Sequence, residues 1–393
     1  PGMSDTDLCY TPASTLARLI REKSLSPVEL VGAVLRRIEA SQPVLNAFIT
    51  VSADQALAQA RIAEAAIMAG DVLPPLHGVP LSVKDLINTA GVRTTFGSFA
   101  LEHNVPARDS VSVARLKRAG AILVGKTTTP EFGHKPLTEA PLFGRTLNPW
   151  DRTRASGGSS GGAGAAAAAG LGPLALGTDG GGSIRIPAAC CGVVGFKPTL
   201  GMVPHDQAPD AFANLAFIGP MTRTVMDSAL MMQAMAGPDA NDPHSLARAT
   251  PDFVAASAAE GDLQGMRIHW RLFLGNDAID PETKRLFEDA VGVLADLGAR
   301  VERRESEFAN TLPIWGPLTF SAWASRFGRY VEELGERMSD SLRTWMAQGR
   351  QYGATDIQDS LAARTAVFRA VQTWFEDCDL VVMPTLAGPA IAA

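Results

Sequence analysis

The sequence contains 393 residues, of which 46% are hydrophobic and 19% charged, so it can bury a large core and is neither disordered nor fibrous in composition. Its net charge of −6 argues against a surface for nucleic acid or for anionic membranes. The sequence has neither an apolar run long enough to span a membrane nor a leader-like amino terminus, which predicts a cytoplasmic protein without membrane partners.

Two helices are predicted before the first strand. The segment 26–29, SPVE, has a serine that can cap a helix, a proline suited to the first turn and a glutamate that completes a capping box. A second helix is predicted over 53–69, with Gly70 as its stop. Pro1 and Gly2, which precede Met3, resemble a remnant of an expression vector and are set aside.

A strand that carries a lysine follows. Between residues 76 and 87 the apolar pattern has period two, with Leu81 and Val83 on one face and Ser82 and Lys84 on the other. On a strand otherwise suited to burial, Lys84 is either a catalytic residue or a side chain that snorkels to water from the strand end. From the strand alone, the snorkelling lysine is the simpler interpretation.

Further along the chain, short apolar strands alternate with helices. Strands are predicted at 121–125, 174–176, 193–196, 266–270 and 380–383, and helices near 111–118, 225–236, 281–297 and 358–376. Strands that are apolar on both faces and alternate with helices predict an α/β fold. Because neither a repeat nor a linker interrupts this pattern, we expect a single domain over residues 1–393.

Glycine, alanine and serine are concentrated between Ser156 and Pro198. This stretch contains two glycine clusters that carry serine, GGSSGG at 157–162 and TDGGGS at 178–183, joined by a small-residue helix and a short strand. Glycines at this density allow backbone N–H groups to approach a ligand closely. We therefore predict the active site here.

The segment GGSSG at 157–161 also satisfies the G-x-S-x-G pattern of a nucleophile elbow, a strand-to-helix turn that carries a catalytic serine. The polar segment 148–155 before it lacks the strand that such an elbow requires.

These motifs resemble a known family. The segments LHGVPLSVKD at 76–85, GKT at 125–127, GGSSGG at 157–162, GTDGGGSIRIP at 177–187 and GFKPT at 195–199 are similar to the defining sequence of the amidase signature family. The likeness is strong over about residues 10–230, with a signature core at about 76–225. It implies a three-layer α/β/α sandwich with a central mixed β-sheet, and hydrolysis of the C–N bond of linear amides.

The resemblance also implies a catalytic triad. It consists of the nucleophile Ser183, a second serine, Ser159, held by a cis peptide bond, and the lysine Lys84. Ser183 would attack the amide carbonyl while its proton passes through Ser159 to a neutral Lys84, which burial would keep unprotonated. An acyl-enzyme would form on Ser183 and then be hydrolysed by water.

The second glycine cluster is expected to bind the oxyanion of the tetrahedral intermediate. The expected donors are backbone N–H groups, those of Gly180, Gly181, Gly182 and Ser183. Asp179 and Arg185 are expected to hold this loop.

A stripe of aromatic residues lies between residues 310 and 350. Phe320, Trp323, Phe327, Tyr330 and Leu334 recur at spacings of three and four, flanked by Trp315 and Trp345. The stripe is either one face of a helix packed in the core or the wall of a substrate pocket. As pocket residues, Trp315, Phe320, Trp323 and Phe327 would favour hydrophobic or aryl amides, with carbamates and esters as side substrates.

Several further expectations concern ligands and partners. The histidines lack HxxxH or HxH spacing and the cysteines lack CxxC spacing, so we expect no metal and no cofactor. The substrate would be a small amide, and the enzyme a monomer or homodimer. Family members commonly continue for several tens of residues past the strand at 380–383, so the natural protein is either unusually short or longer than this sequence.

Two alternatives to a free-standing amidase remain. The resemblance also covers glutaminase subunits of tRNA-dependent amidotransferases, but those members usually have glutamine where this chain has Ile186. The other alternative is a catalytically silent binding protein on the same scaffold, which the presence of all three triad residues disfavours.

Overall fold

The computed structural model describes residues 3–305, 308 and 310–393. Pro1 and Gly2, predicted to be a vector remnant, lie outside the described residues. The chain divides into two units, one that includes the chain up to Ala259 together with Ala390–Ala393, and a second that comprises Glu260–Pro389. The single domain expected over residues 1–393 stays a prediction.

The first unit contains helices and strands in alternation. Its helices are α1 (Asp5–Tyr10), α2 (Ala13–Arg21), α3 (Pro27–Leu45), α4 (Ala53–Ala69), α5 (Val111–Arg118), α6 (Gly161–Ala168), α7 (Arg185–Cys191), α8 (Val225–Met235) and α9 (Phe253–Ala258). Its strands are β1 (Phe48–Val51), β2 (Pro80–Lys84), β3 (Ile122–Thr127), β4 (Glu139–Ala140), β5 (Gly144–Arg145), β6 (Leu174–Asp179), β7 (Val194–Gly195) and β8 (Phe217–Thr222). The α/β fold class predicted from the sequence is confirmed.

A six-stranded mixed sheet forms the centre of this unit, in the order β1-β3-β2-β6-β8-β7. Strand β2 pairs in parallel with β3 and with β6, whereas β1, β8 and β7 each run antiparallel to a neighbour. Helices flank the sheet. One apolar cluster joins α3, α4 and α6 to β1 and β3, and a second joins α5 and α8 to β2 and β6. Buried strands at the centre of such a sheet hold any side chain at their ends rigidly.

The two faces predicted for β2 are separated in the structure. Leu81 and Val83 belong to the apolar cluster shared with α5 and α8, while Ser82 and Lys84 point to the other side. All four side chains are buried. Lys84 therefore reaches the face of the sheet opposite to that cluster.

The second unit has a small parallel sheet of its own, in the order β10-β9-β11. Its elements are β9 (Arg267–Trp270), α10 (Pro281–Asp296), β10 (Arg300–Arg303), α11 (Leu312–Phe327), α12 (Tyr330–Leu334), α13 (Asp340–Gly349), α14 (Ala354–Thr373) and β11 (Leu380–Val382). No helix among the described residues of either unit combines the length and the apolar character that crossing a bilayer would require.

The aromatic stripe differs from its predicted arrangement. It was expected on one helix, but α11 ends at Phe327 and the chain resumes as α12 only at Tyr330. Gly328, a weak helix former, lies at the break, where Val331 N–H bonds to the Gly328 carbonyl three residues back instead of four. The regular spacing of the stripe is therefore divided between two helices.

Candidate active site

Lys84 lies at the carboxyl end of β2 and is completely buried. Its Nζ lies 2.6 Å from Ser159 Oγ, 2.9 Å from Ser160 Oγ and 2.9 Å from Thr178 Oγ1. Burial holds the pKa of Lys84 well below its ordinary value, while the negative charge of Asp179 acts in the opposite direction. A snorkelling lysine would reach water, so the burial of Lys84 excludes that interpretation.

The hydrogen bonds around Lys84 indicate which hydroxyl can give it a proton. Ser160 Oγ donates to the Thr178 carbonyl at 3.1 Å and accepts from Thr178 N–H at 3.3 Å, so its own proton is already in use. A neutral amine has two N–H groups and one lone pair. If the two N–H groups bind Ser160 and Thr178, the lone pair faces Ser159. The arrangement can therefore pass a proton from Ser159 Oγ to Lys84 Nζ.

Ser159 lies in a tight turn just before α6. The peptide bond between Gly158 and Ser159 is cis, the geometry that the family resemblance implied for this serine. Thr138 ties the turn together, because its hydroxyl donates to the Gly157 carbonyl at 2.9 Å and accepts from Gly161 N–H at 2.9 Å. A methyl group on Gly161 would overlap the Thr138 hydroxyl, so glycine is required there. The turn thus brings a buried serine within reach of Lys84.

The loop that contains Ser183 is organised by Asp179, the last residue of β6. The Asp179 carboxylate accepts from Gly182 N–H at 2.8 Å and from Ile184 N–H at 3.1 Å. It also accepts from the Arg185 guanidinium, at 2.9 Å from Nε and 2.8 Å from Nη2. Although burial alone raises it, the pKa of Asp179 lies below its ordinary value because of Arg185 and the backbone donors. Asp179 is thus held as a carboxylate that fixes the loop.

One predicted oxyanion donor, the Gly182 N–H, forms a hydrogen bond within the loop itself. Because Gly182 N–H already donates to Asp179, its place in the site is to shape the loop, and its φ of +118° is a conformation that favours glycine. The oxyanion role of Gly180, Gly181, Gly182 and Ser183 stays a prediction. Ser183 is half exposed, whereas Ser159 is only 2% exposed. The Ser183 carbonyl accepts from Ser160 N–H at 3.1 Å, which joins the two glycine clusters.

A second buried lysine, Lys126 on β3, supports the segment after Lys84. Its Nζ contacts three oxygens of that segment, the Ile87 carbonyl at 2.5 Å, Thr89 Oγ1 at 2.9 Å and Thr94 Oγ1 at 2.9 Å. Burial lowers the pKa of Lys126 to about 7, with the charge of Asp85 opposing the shift. Sequence reasoning gave Lys126 no role, although a lysine on a strand that is apolar on both faces could have signalled one.

Aromatic residues of the second unit pack against one another, Trp315 edge to face on Phe320 and Trp345 stacked on Phe320 and Trp323. The ring centroids lie 5.8 Å apart for Trp315 and Phe320, 5.3 Å for Phe320 and Trp345, and 5.8 Å for Trp323 and Trp345. The stacking links α11 to α13, as expected for core packing. Phe327 ends α11 and lies beneath the Arg326 guanidinium, 4.8 Å from its ring centroid. The pocket role of Trp315, Phe320, Trp323 and Phe327 stays a prediction.

Metal ligands and disulfides do not add to this site. No group of three or more His, Cys, Asp or Glu side chains in the described part of the chain is arranged to hold a metal ion. The cysteines Cys9, Cys190, Cys191 and Cys378 are free thiols.

Comparison with known proteins gives matches over nearly the whole chain. The family model described as Amidase matches residues 29–393. An acylamidase of Rhodococcus erythropolis is 39% identical over 389 residues, which are 98% of this chain and 81% of that protein. A glutamyl-tRNA(Gln) amidotransferase subunit of Roseiflexus sp. (strain RS-1) is 40% identical over 387 residues, 92% of this chain and 78% of that protein. The crystal structure of a bacterial aryl acylamidase, an amidase signature enzyme, is similar with a TM-score of 0.91 and 33% identity, covering 98% of this chain and 81% of that one.

Proposed function

The chain belongs to the amidase signature family and is an amidase, and we propose that it hydrolyses linear amides with hydrophobic or aryl groups through an acyl-enzyme on Ser183. The observation that carries this proposal is the 2.6 Å contact between Lys84 Nζ and Ser159 Oγ in a fully buried site. A lysine held there below its ordinary pKa is neutral at a lower pH than a free lysine, so it can act as a base.

In the first step, Ser183 Oγ attacks the carbonyl carbon of the amide. The Ser183 proton moves to Ser159 Oγ while the Ser159 proton moves to Lys84 Nζ, so that no charged serine forms. The carbonyl oxygen becomes an oxyanion, which accepts hydrogen bonds from backbone N–H groups of the 180–183 loop. Such donors each contribute about 3–4 kcal/mol to stabilisation of the transition state.

In the second step, the C–N bond breaks and the amine departs. Ser159 gives a proton to the leaving nitrogen and regains one from the Lys84 ammonium, which leaves an acyl group on Ser183. Water then attacks the acyl-enzyme and transfers a proton through the same relay. The carboxylic acid is released and the three residues return to their starting protonation states.

The preference for hydrophobic or aryl amides is supported by the acylamidase and aryl acylamidase among the relatives. It is also supported by the predicted pocket residues Trp315, Phe320, Trp323 and Phe327. Apolar area removed from water stabilises a complex by about 25 cal/mol per Å². Carbamates and aryl esters offer the same carbonyl to Ser183 and are proposed as slower side substrates.

A second candidate function is that of a glutaminase subunit of a tRNA-dependent amidotransferase. The 40% identity to the Roseiflexus amidotransferase protein favours it. Ile186 disfavours it. This apolar side chain borders the Ser183 loop, because a methyl group added at Gly182 would lie only 2.8 Å from Ile186 Cδ1. Glutaminase members usually have a glutamine in place of this isoleucine. We therefore place a free-standing amidase, a monomer or homodimer, first.

Incubation of the purified chain alone with a matched panel of substrates tests these functions. The panel contains an anilide, a primary aliphatic amide, glutamine, an aryl ester and an aryl carbamate, with Ser183→Ala as the control variant. We expect the highest kcat/KM for the anilide with the wild-type protein, and no turnover of any substrate with Ser183→Ala. A preference for glutamine would favour the amidotransferase function, and no turnover of any substrate would contradict an active amidase.

A further inference from the structure

The turn that follows Lys84 exposes one apolar side chain. Ile87 N–H donates to the Lys84 carbonyl at 3.0 Å, which closes a tight turn at the end of β2. Asp85 and Ile87 in this turn are buried, whereas Leu86 between them is half exposed. The leucine is therefore partly open to solvent, two residues after the lysine that contacts Ser159.

The backbone that carries Leu86 is held on both sides. Asp85 N–H donates to the Thr127 carbonyl at 3.0 Å, and the Ile87 carbonyl accepts from Lys126 Nζ at 2.5 Å. A side chain on a fixed backbone loses little conformational freedom when a ligand packs against it. Leu86 is thus a preformed apolar surface.

Gly133 keeps a gap open between Leu86 and Ser159. A methyl group added at Gly133 would lie 2.7 Å from Leu86 Cδ1 and 3.3 Å from Ser159 Oγ. Gly133 also has a φ of +70°, a conformation that other residues rarely adopt. Leu86 and the Ser159 hydroxyl therefore face the same small space, which only a glycine leaves unfilled.

We propose that Leu86 binds the substituent of the leaving amine and so selects amides of aromatic or bulky aliphatic amines. This inference rests on the proposed function, in which Ser159 Oγ gives a proton to the departing nitrogen and must lie within hydrogen-bond distance of it. A substituent on that nitrogen lies beside Leu86, where its apolar surface is removed from water. A primary amide has no such substituent and gains nothing from Leu86. Leu86 is a specificity-determining residue and takes no part in proton transfer.

Two pairs of substrates separate the amine side from the acyl side. Acetanilide and acetamide share the acyl group and differ in the amine, whereas acetanilide and butyranilide share the amine and differ in the acyl group. In Leu86→Ala we expect the acetanilide to acetamide ratio of kcat/KM to fall about tenfold, the effect of lost apolar contact in a pocket. The acetanilide to butyranilide ratio should stay constant.

Leu57→Ala is the matched control, because Leu57 is also half-buried but packs in the amino-terminal cluster on α4. It should change neither ratio. Leu86→Asn, which keeps the number of side-chain heavy atoms but makes the side chain polar, should reproduce the loss of anilide preference. An unchanged acetanilide to acetamide ratio in both Leu86 variants would overturn the inference, as would a change of equal size in the acetanilide to butyranilide ratio. Wild-type protein inactive on all these amides would instead overturn the proposed function, and this inference with it.

A double-mutant cycle tests the geometry without any activity assay. Gly133→Ala should destabilise the wild type more than it destabilises Leu86→Ala, because the second background lacks the Cδ1 atom that the new methyl group meets. The strain of an alanine at positive φ is common to both backgrounds and cancels. Equal destabilisation in chemical unfolding would contradict the contact between the two positions.

Discussion

Replacement of Asp179 by asparagine tests how the loop and the base are coupled. The carboxylate accepts five hydrogen bonds, from the backbone N–H groups of Gly182, Ile184 and Arg185 and from two nitrogens of the Arg185 guanidinium. In Asp179→Asn, one acceptor oxygen becomes an NH₂ group. If it replaces Oδ2, the backbone N–H groups of Ile184 and Arg185 and the Arg185 Nε lose their acceptor. Each donor that loses its buried partner costs about 1–3 kcal/mol. We expect the free energy of unfolding to fall by about 3 kcal/mol and kcat to fall as the loop loses its shape.

The same substitution should move the pH profile in a defined direction. The negative charge of Asp179 raises the pKa of Lys84, so its removal lowers that pKa further. The proposed mechanism requires neutral Lys84, and activity is lost on the acid side as Lys84 becomes protonated. The acid limb of kcat/KM should therefore shift to lower pH in Asp179→Asn. Arg185→Gln removes a positive charge and should shift the limb to higher pH.

The assay is kcat/KM for an anilide as a function of pH, together with chemical unfolding at neutral pH. Asp5→Asn is the control, because Asp5 also pairs with an arginine, Arg36, but at an exposed position on α1. It should leave the limb in place. A limb that stays fixed or moves to higher pH in Asp179→Asn would refute the assignment of Lys84 as the base.

Other outcomes follow from the same account. Lys84→Met should lower kcat by about 10³-fold or more while the circular dichroism spectrum stays unchanged, and a variant that keeps most of its kcat would contradict the lysine mechanism. Dialysis against EDTA should leave the rate unchanged, since no proposed step uses a metal, and no single His→Ala variant should abolish turnover. Trp323→Ala should lower the free energy of unfolding by about 3 kcal/mol, the lower end for a truncated tryptophan because Trp323 is half-buried. It should also reduce the anilide preference; a loss of stability alone would identify the stripe as core packing.

Helix ends were predictable where a local signal marks them. The helix expected at 53–69 is α4, Ala53–Ala69, and it ends at Gly70, whose φ of +80° closes the helix. The helix expected near 111–118 is α5, Val111–Arg118, which Ser110 caps by accepting from Val113 N–H. Caps and stops act within a few residues, so the sequence contains all the information they need.

Strands that depend on distant partners were harder to predict. Strand β8 was missed because it contains Gly219 and Pro220, residues that usually interrupt strands. It forms because antiparallel pairing with β6 extends over its whole length. The Phe196 carbonyl also packs so close to Gly219 that any side chain at Gly219 would clash with it, and Phe196 belongs to a different segment of the chain. Such contacts have no local signature.

In the candidate site, the motifs indicated residue types but not hydrogen-bond partners. The resemblance pointed to Lys84 and Ser159, which the structure places in contact. Ser160 and Thr178 complete the surroundings of Lys84 from two different segments, and only the fold brings these together. The donation of Gly182 N–H to Asp179 depends on the loop conformation, so the motif could not indicate it.

Covalent labelling tests the central claim, that Ser183 is the nucleophile, most directly. A fluorophosphonate reacts with an activated serine, and peptide mass spectrometry of the labelled protein identifies the modified residue. We expect a label on Ser183, and no label in Ser183→Ala or at acid pH where Lys84 is protonated. Modification of Ser159 with Ser183 unmodified would contradict the account, because it would make Ser159 the nucleophile of an elbow and leave Ser183 without its role.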